Sequence, residues 1–254
     1  MRAILTYHSI DASGSPISCH PEAFDRHVRW LTSGRVTVTS IDVLIRLPEW
    51  ADAVALTFDD AFANFAELAA PKLLGAGLAC TLFVVSDAAG RTNAWGGRHE
   101  RGIPELRLLD WSELLRLQEQ GVALGSHSRT HPDLTALDPS RLEDEVVGSA
   151  DVIARETGRR PSTFCYPYGR VDELSAAVVS RTFRYACMTE FRALPDDVAV
   201  ARLPRLDAFY FERPGLLETW GTPSFSRFVR RRRQLRRIRR AVITPAKRLV
   251  SWRH

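Results

Sequence analysis

No apolar run in this 254-residue chain approaches the ~20 residues needed to span a bilayer. The opening MRAILTYHSI also lacks the basic stretch and apolar segment of a signal peptide. Membrane-spanning and signal-led classes are set aside, and a cytoplasmic location is the expectation. Cysteine is scarce: Cys19, Cys80, Cys165 and Cys187 stand singly, with no CxxC pair. That excludes a disulfide framework and a zinc ribbon and leaves packing as their role. No short-period repeat is found beyond an alternation of strand and helix patterns. Acidic residues are missing from Arg227 to His254, a stretch that holds twelve of the 35 Lys and Arg. Residues 1–226 then carry 23 basic against 30 acidic residues, so the net charge of +5 joins an acidic body to a strongly basic tail.

What is present is 45% apolar content, enough for one large core at a length usual for a (β/α) barrel. Strands are expected at Ala3–Tyr7, Ala53–Phe58, Cys80–Val85, Val122–Ser126, Thr163–Tyr166 and Tyr185–Met188. Helical spacing relates Phe24, Val28 and Leu31 after Pro21, and Leu68 to Leu73 and Leu74. It recurs over Trp111–Leu117, and over Leu142, Val146, Ala150 and Ile153 between Asp138-Pro139 and Gly158. The stretch from Ser86 to Arg107 has glycines and charges without apolar period, as a long functional loop would. Such βα alternation describes a parallel α/β domain.

Active sites of that architecture gather at the C-terminal ends of strands. His127 and His131 lie four apart just past Val122–Ser126, and Pro132 argues against a helix at His131. Two imidazoles need at least one further ligand to hold a catalytic divalent ion. Asp59 and Asp60 supply carboxylates directly after Ala53–Phe58. One is free to bind a metal and the other to act as a base. Alone, the Asp pair reads as a helix cap and HxxxH as a weak signal; at two strand ends together they point to a site.

LTFDDAF, GSHSRTHPDL and FCYPYGR, in this order, resemble the first three motifs of the NodB-homology polysaccharide deacetylases, carbohydrate esterase family 4. The resemblance spans Met1 to about Leu206. It implies an α/β fold, a distorted (β/α)7 barrel of the NodB-homology type with the basic C-terminal helical tail outside it. Past Gly221 the pattern ends in GTPSFSRF, which reads as a linker, so the domain bounds are 1–220 for the barrel and 221–254 for linker and tail. The resemblance further implies a metal-dependent hydrolase that removes an N-acetyl or related N-acyl group from an amino sugar of a glycan or glycan precursor. By that resemblance Asp60, His127 and His131 bind the metal, zinc first, with cobalt or nickel as alternatives. Asp59 is the general base, and the backbone N–H of Tyr168 donates to the oxyanion.

The sequence also departs from the family pattern. Ala61 stands where a glycine is usual, a change expected to narrow the loop. Cys165 or Tyr166 replaces the arginine that begins the third motif, so the base must be oriented from elsewhere, with Arg170 and Arg205 as candidates. The tryptophan motif is met loosely by LLDWSEL, where Asp110 and Trp111 also read as a helix start. The late Leu-x-His that supplies a general acid is absent from ARLPRLDAF. His8, ending the first strand, is the first candidate for that acid, since Arg205 is a poor proton donor. Two other readings stay open: a deformylase or amidase on a nucleotide- or lipid-linked sugar, and a catalytically silent sugar-binding relative. In the tail, Phe228, Val229, Leu235, Ile238, Val242 and Ile243 recur at near-helical spacing among arginines, with Trp252 beyond. This basic amphipathic pattern over 227–254 suits an anionic membrane surface or docking on the acidic body; nothing in it suits nucleic acid.

Overall fold

The computed structural model describes residues 1–98 and 101–250, with 240–250 as helical backbone alone. Among them are ten short strands: β1 Arg2–Tyr7, β2 Ser9–Ile10, β3 Ser18–Cys19, β4 Thr37–Thr39, β5 Ala53–Phe58, β6 Cys80–Val84, β7 Ala123–Ser126, β8 Thr163–Cys165, β9 Tyr185–Cys187 and β10 Leu206–Asp207. The order β10-β1-β5-β6-β7-β8-β9 makes one curled sheet, all of whose pairings are parallel. β4 lies beside Ala53–Ala55 of β5, and β6 takes over from Leu56 onward. β2 and β3 pair separately.

Burial explains the sequence of the central strands. β1 and β5 are buried at every position, as strands covered on both faces must be, and are mainly apolar, with Arg2, Thr6 and Thr57 as their buried polar members. Parallel register, Arg2 opposite Ala53 through Tyr7 opposite Phe58, brings the ends of β1 and β5 level. His8 and Asp59 therefore leave the sheet side by side. Helices Pro21–Leu31, Trp111–Glu119 and Glu173–Thr182 cover the outside, each begun by a side chain that accepts from the first turn: His20, Asp110 and Asp172. Pro139–Thr157 is helical throughout, with a wide π turn at Asp144–Gly148.

The two edges of the curled sheet approach through one short segment. Leu203 bridges Cys187 of β9, and Leu206 pairs with Leu5 of β1. Pro204 interrupts the apolar pattern there, which is why this seam does not read as a strand. It is the seam that carries Arg205 into the barrel.

The helix Pro223–Val250 begins on the body. Phe225 is fully buried and stacks on Phe211 at 5.6 Å between centroids, with Trp220 at 5.2 Å. Val229 is buried too, Phe228 lies against Phe211, and Arg233 pairs with Glu190. Leu235 and Ile238 are exposed. The side chains of Val242 and Ile243, and Trp252 entirely, fall outside the described residues. No helix of the described residues is long and apolar enough to cross a membrane.

Deleting the Phe225 ring opens a cavity in the main core, so Phe225→Ala is expected to lower stability by about 3–5 kcal/mol. Leu235→Ala should stay within about 0.5 kcal/mol in the same urea titration. A second expectation concerns His27, which is buried between Tyr7 Oη at 3.1 Å and the Phe211 carbonyl at 3.0 Å. Burial lowers its pKa to about 4. Its neutral form belongs to the folded state, so the stability it supports is full above the unfolded value near 6.5 and drains as pH falls toward 4, by up to about 1.4 kcal/mol per unit. His27→Gln should flatten that slope in urea titrations from pH 7 to 4; an unchanged slope would contradict the assignment.

Candidate active site

Four strand ends supply the site: His8 after β1, Asp59 and Asp60 after β5, His127 after β7 and Tyr168 after β8. Their turns are tight. Asp60, Ala61, Ser128, His131 and Tyr168 have φ between 58° and 68°, and they are all the non-glycine residues with positive φ among those described. Each such residue costs of order 1–3 kcal/mol, and strain of this kind gathers at functional sites. The bend at Asp60 turns neighbouring carboxylates apart. Ala61 proves to occupy the left-handed geometry that glycine adopts freely, so the departure at this position adds backbone strain. Gly169 is required: a Cβ there would lie 2.0 Å from Thr189 Oγ1.

Asp60 faces the histidines. Its Oδ1 lies 3.5 Å from His127 Nε2 and 3.6 Å from His131 Nε2. Donors about 2.0–2.1 Å from a tetrahedral ion sit roughly 3.4 Å apart, so this spacing fits one. His127 Nδ1 donates to the Cys165 carbonyl at 2.7 Å, which leaves the Nε2 lone pair for a ligand. Asp60 Oδ1 and His131 Nδ1 are buried with no hydrogen-bond partner among the described residues. Burial raises the Asp60 carboxyl, with His127 opposing, and burial and then His127 push the His131 imidazole well below its ordinary value. A neutral imidazole is the ligand form, and a divalent ion would supply the charge Asp60 lacks. The donor set fits a metal.

A second grouping, Asp59, His127 and Cys165, has the right elements but other commitments. Arg205, with no side-chain exposure, donates from both terminal nitrogens to the two oxygens of Asp59, each at 2.7 Å. It also reaches Cys165 Sγ at 3.0 Å, Thr57 Oγ1 at 3.2 Å and the Met188 carbonyl. Burial alone would raise Asp59, but the Arg205 charge and hydrogen bonds, then His8 and His127, hold it well below the usual carboxylate range. Burial pushes the Cys165 thiol far up, so it stays protonated. His8 Nε2 lies 3.5 Å from Asp59 Oδ2 and is partly exposed.

Of the two arginines proposed to orient Asp59, Arg205 does so from the seam. Arg170 instead pairs with Asp133 near the surface. The side chain of Arg205 passes Cys165, one of the two positions where the family arginine would begin. Asp110 is the cap of helix Trp111–Glu119, in a reciprocal capping box with Glu113. The tryptophan at the site is Trp95, from the long loop, stacked on His131 at 4.4 Å; Tyr168 meets the same imidazole edge-on at 4.7 Å. Glu145 also supports the site, outside any of the motifs. Nearly buried in the π turn, its Oε2 accepts the N–H groups of Arg129 and Thr130 at 2.9 Å each and so fixes the loop that carries His131. Its signal was an acid within an otherwise apolar helical stripe.

Comparisons with known proteins place the chain by family and fold. The family model described as polysaccharide deacetylase matches residues 48–185, more than half of the chain. YxkH of Bacillus subtilis (strain 168), which bears a polysaccharide deacetylase name, is 24% identical over 209 residues, covering 80% of this chain and 70% of that one. The Streptococcus pyogenes deacetylase PplD in complex with acetate superposes with a TM-score of 0.68 at 20% identity, over 81% of this chain and 91% of that one. The de-N-acetylase from Aggregatibacter actinomycetemcomitans gives 0.64 at 19% identity, over 81% and 95%. Structural likeness at such identity shows a shared fold.

Removing one partner of a buried ion pair strands the other charge. Arg205→Met should therefore cost about 3–5 kcal/mol in urea titration, and adding Asp59→Asn should recover at least half of that loss. If the double variant is no more stable than Arg205→Met alone, Asp59 is not the group that Arg205 compensates.

Proposed function

The chain belongs to the polysaccharide deacetylase family, and from that premise we propose that it hydrolyses the N-acetyl group of an amino sugar with a zinc ion held by Asp60, His127 and His131. The observation that carries the reading is the division of labour between adjacent carboxylates. Asp60 Oδ1 is buried without a hydrogen-bond partner among the described residues, facing two imidazole nitrogens, while both oxygens of Asp59 are held by Arg205. Two imidazoles and one carboxylate are a donor set suited to zinc. When bound there, such an ion polarises the acyl carbonyl and lowers the pKa of a water.

Asp59, kept ionised and aimed by Arg205, accepts the proton of the attacking water as its oxygen bonds to the acyl carbon. The backbone N–H of Tyr168 donates to the developing oxyanion. Breaking the C–N bond requires a proton on the amine nitrogen. His8 is assigned that delivery because its Nε2 lies 3.5 Å from Asp59, close to where the first proton arrives. Arg205 does not deliver it, because a guanidinium with pKa above ~12 holds its protons. Trp95 and Tyr168 flank His131 and give the centre an aromatic wall.

A base and a ligand fail differently. Asp59→Asn should retain zinc and lose about 10²–10⁴ in turnover, whereas Asp60→Ala and His127→Ala should lose both. Elemental analysis beside acetate release from N-acetylated chito-oligosaccharides checks this. Equal loss of zinc in Asp59→Asn would overturn the division of roles, and a wild-type protein that holds zinc but releases no acyl group would favour a silent sugar-binding relative.

A further inference from the structure

A cleft of about 730 Å³ opens beside Tyr168, and its charge is out of keeping with the acidic body. Its wall includes three guanidinium groups, Arg170, Arg236 and Arg239, against one carboxylate, Asp207. They come from two places. Arg170 follows the Tyr168 turn by two residues, and Arg236 and Arg239 come from successive turns of the helix Pro223–Val250.

The helix is held so that its arginines face the cleft. Phe225 and Val229 anchor it in the core, and Arg232 lies 4.5 Å over the Tyr210 ring. Arg236 lies 5.3 Å over Tyr210, reaches Asp207 at 3.4 Å and donates to the Thr189 carbonyl at 3.3 Å. Arg170 shares Asp133. Arg239 makes no ion pair among the described residues. Three guanidinium groups against the carboxylates of Asp133 and Asp207 leave a surplus of one positive charge, at Arg239, on planar, forked donors whose geometry suits phosphate and carboxylate oxygens. Apolar lining from Val171 and Met188 leaves room for a sugar ring.

Resting on the deacetylase reading, we propose that this cleft is an oxyanion subsite, and that the preferred substrate is an amino sugar bearing a phosphate or carboxylate group. Arg170, Arg236 and Arg239 hold the anion while the N-acyl group passes Tyr168 to the centre formed by Asp60, His127 and His131. The basic helix then sets substrate choice, which gives the charge asymmetry of the chain a use at the site itself.

The test measures acetate release by the full-length, zinc-loaded protein from three matched N-acetylglucosamine disaccharides: neutral, phosphomonoester-bearing and carboxylate-bearing. At low ionic strength at least one anionic form should show a KM about tenfold below the neutral one, and the gap should shrink in roughly 0.5 M salt. Which form wins names the anion. Arg239→Gln should narrow the ratio of kcat/KM for anionic over neutral substrate about threefold, and the triple change of Arg170, Arg236 and Arg239 to Gln about tenfold. Equal KM for all three disaccharides, or a ratio unmoved in folded Arg239→Gln protein, would overturn the subsite. Should no disaccharide release acetate, the deacetylase reading fails by itself. Calorimetry then decides the subsite: binding of N-acetylglucosamine 6-phosphate tighter than N-acetylglucosamine, and weakened by Arg239→Gln, supports it, and equal binding overturns it.

Discussion

A buried guanidinium lets two adjacent carboxylates do different work. Asp59 and Asp60 leave the same strand one residue apart, both nearly inaccessible to water, where two like charges would raise each other's pKa and one would stay protonated. Arg205 removes that conflict by binding both oxygens of Asp59. Asp60 is then the carboxylate left over, facing His127 and His131. The barrel seam carries that one arginine inside the sheet, and Asp60 Oδ1 is left without a hydrogen-bond partner among the described residues. The arrangement has a chemical cost: a carboxylate so strongly held is a weak base, and it serves only if the water it meets is already acidified.

Holding this geometry takes strain and support. The left-handed turns at Asp60, Ala61, Ser128, His131 and Tyr168 persist because neighbours fix them. Ser128 Oγ accepts the His131 N–H at 3.0 Å, and Glu145 accepts two N–H groups of the same loop. Cys165 serves twice, through its carbonyl on His127 and its sulfur on Arg205. Packing was the expectation for that cysteine, and all four cysteines are buried, but this one also joins the ligand side of the site to the base side.

What the sequence made legible was local. β5 reads as a strand over its full length because it is buried on both faces, Asp59, Asp60, His127 and His131 stand out because they follow predicted strands, and Tyr168 is marked only by the resemblance of its motif. Arg205 could be named only as one of two candidates, because its partner lies 146 residues away and contact over that distance leaves no mark in either local pattern. β10 and the bridge at Leu203 escape notice since Pro204 breaks the run and the sheet edge needs only a few residues there. Trp95 sits in a loop without periodicity. Glu145 was legible in principle, as an acid beside Val146 on the buried stripe of a helix. The stretch from Gly221 reads as a linker from its small and polar residues, yet Phe225 within it is part of the core.

The central claim is that Asp60, not Asp59, shares an ion with the two histidines while Arg205 keeps its neighbour apart. A crystal structure of the zinc-loaded protein, with anomalous scattering recorded at the zinc edge, tests it most directly. The account predicts a single peak about 2.0–2.2 Å from an Asp60 oxygen, His127 Nε2 and His131 Nε2, with Asp59 still bound through both oxygens to Arg205. A peak coordinated by Asp59, or by Cys165, with Arg205 displaced, would contradict it.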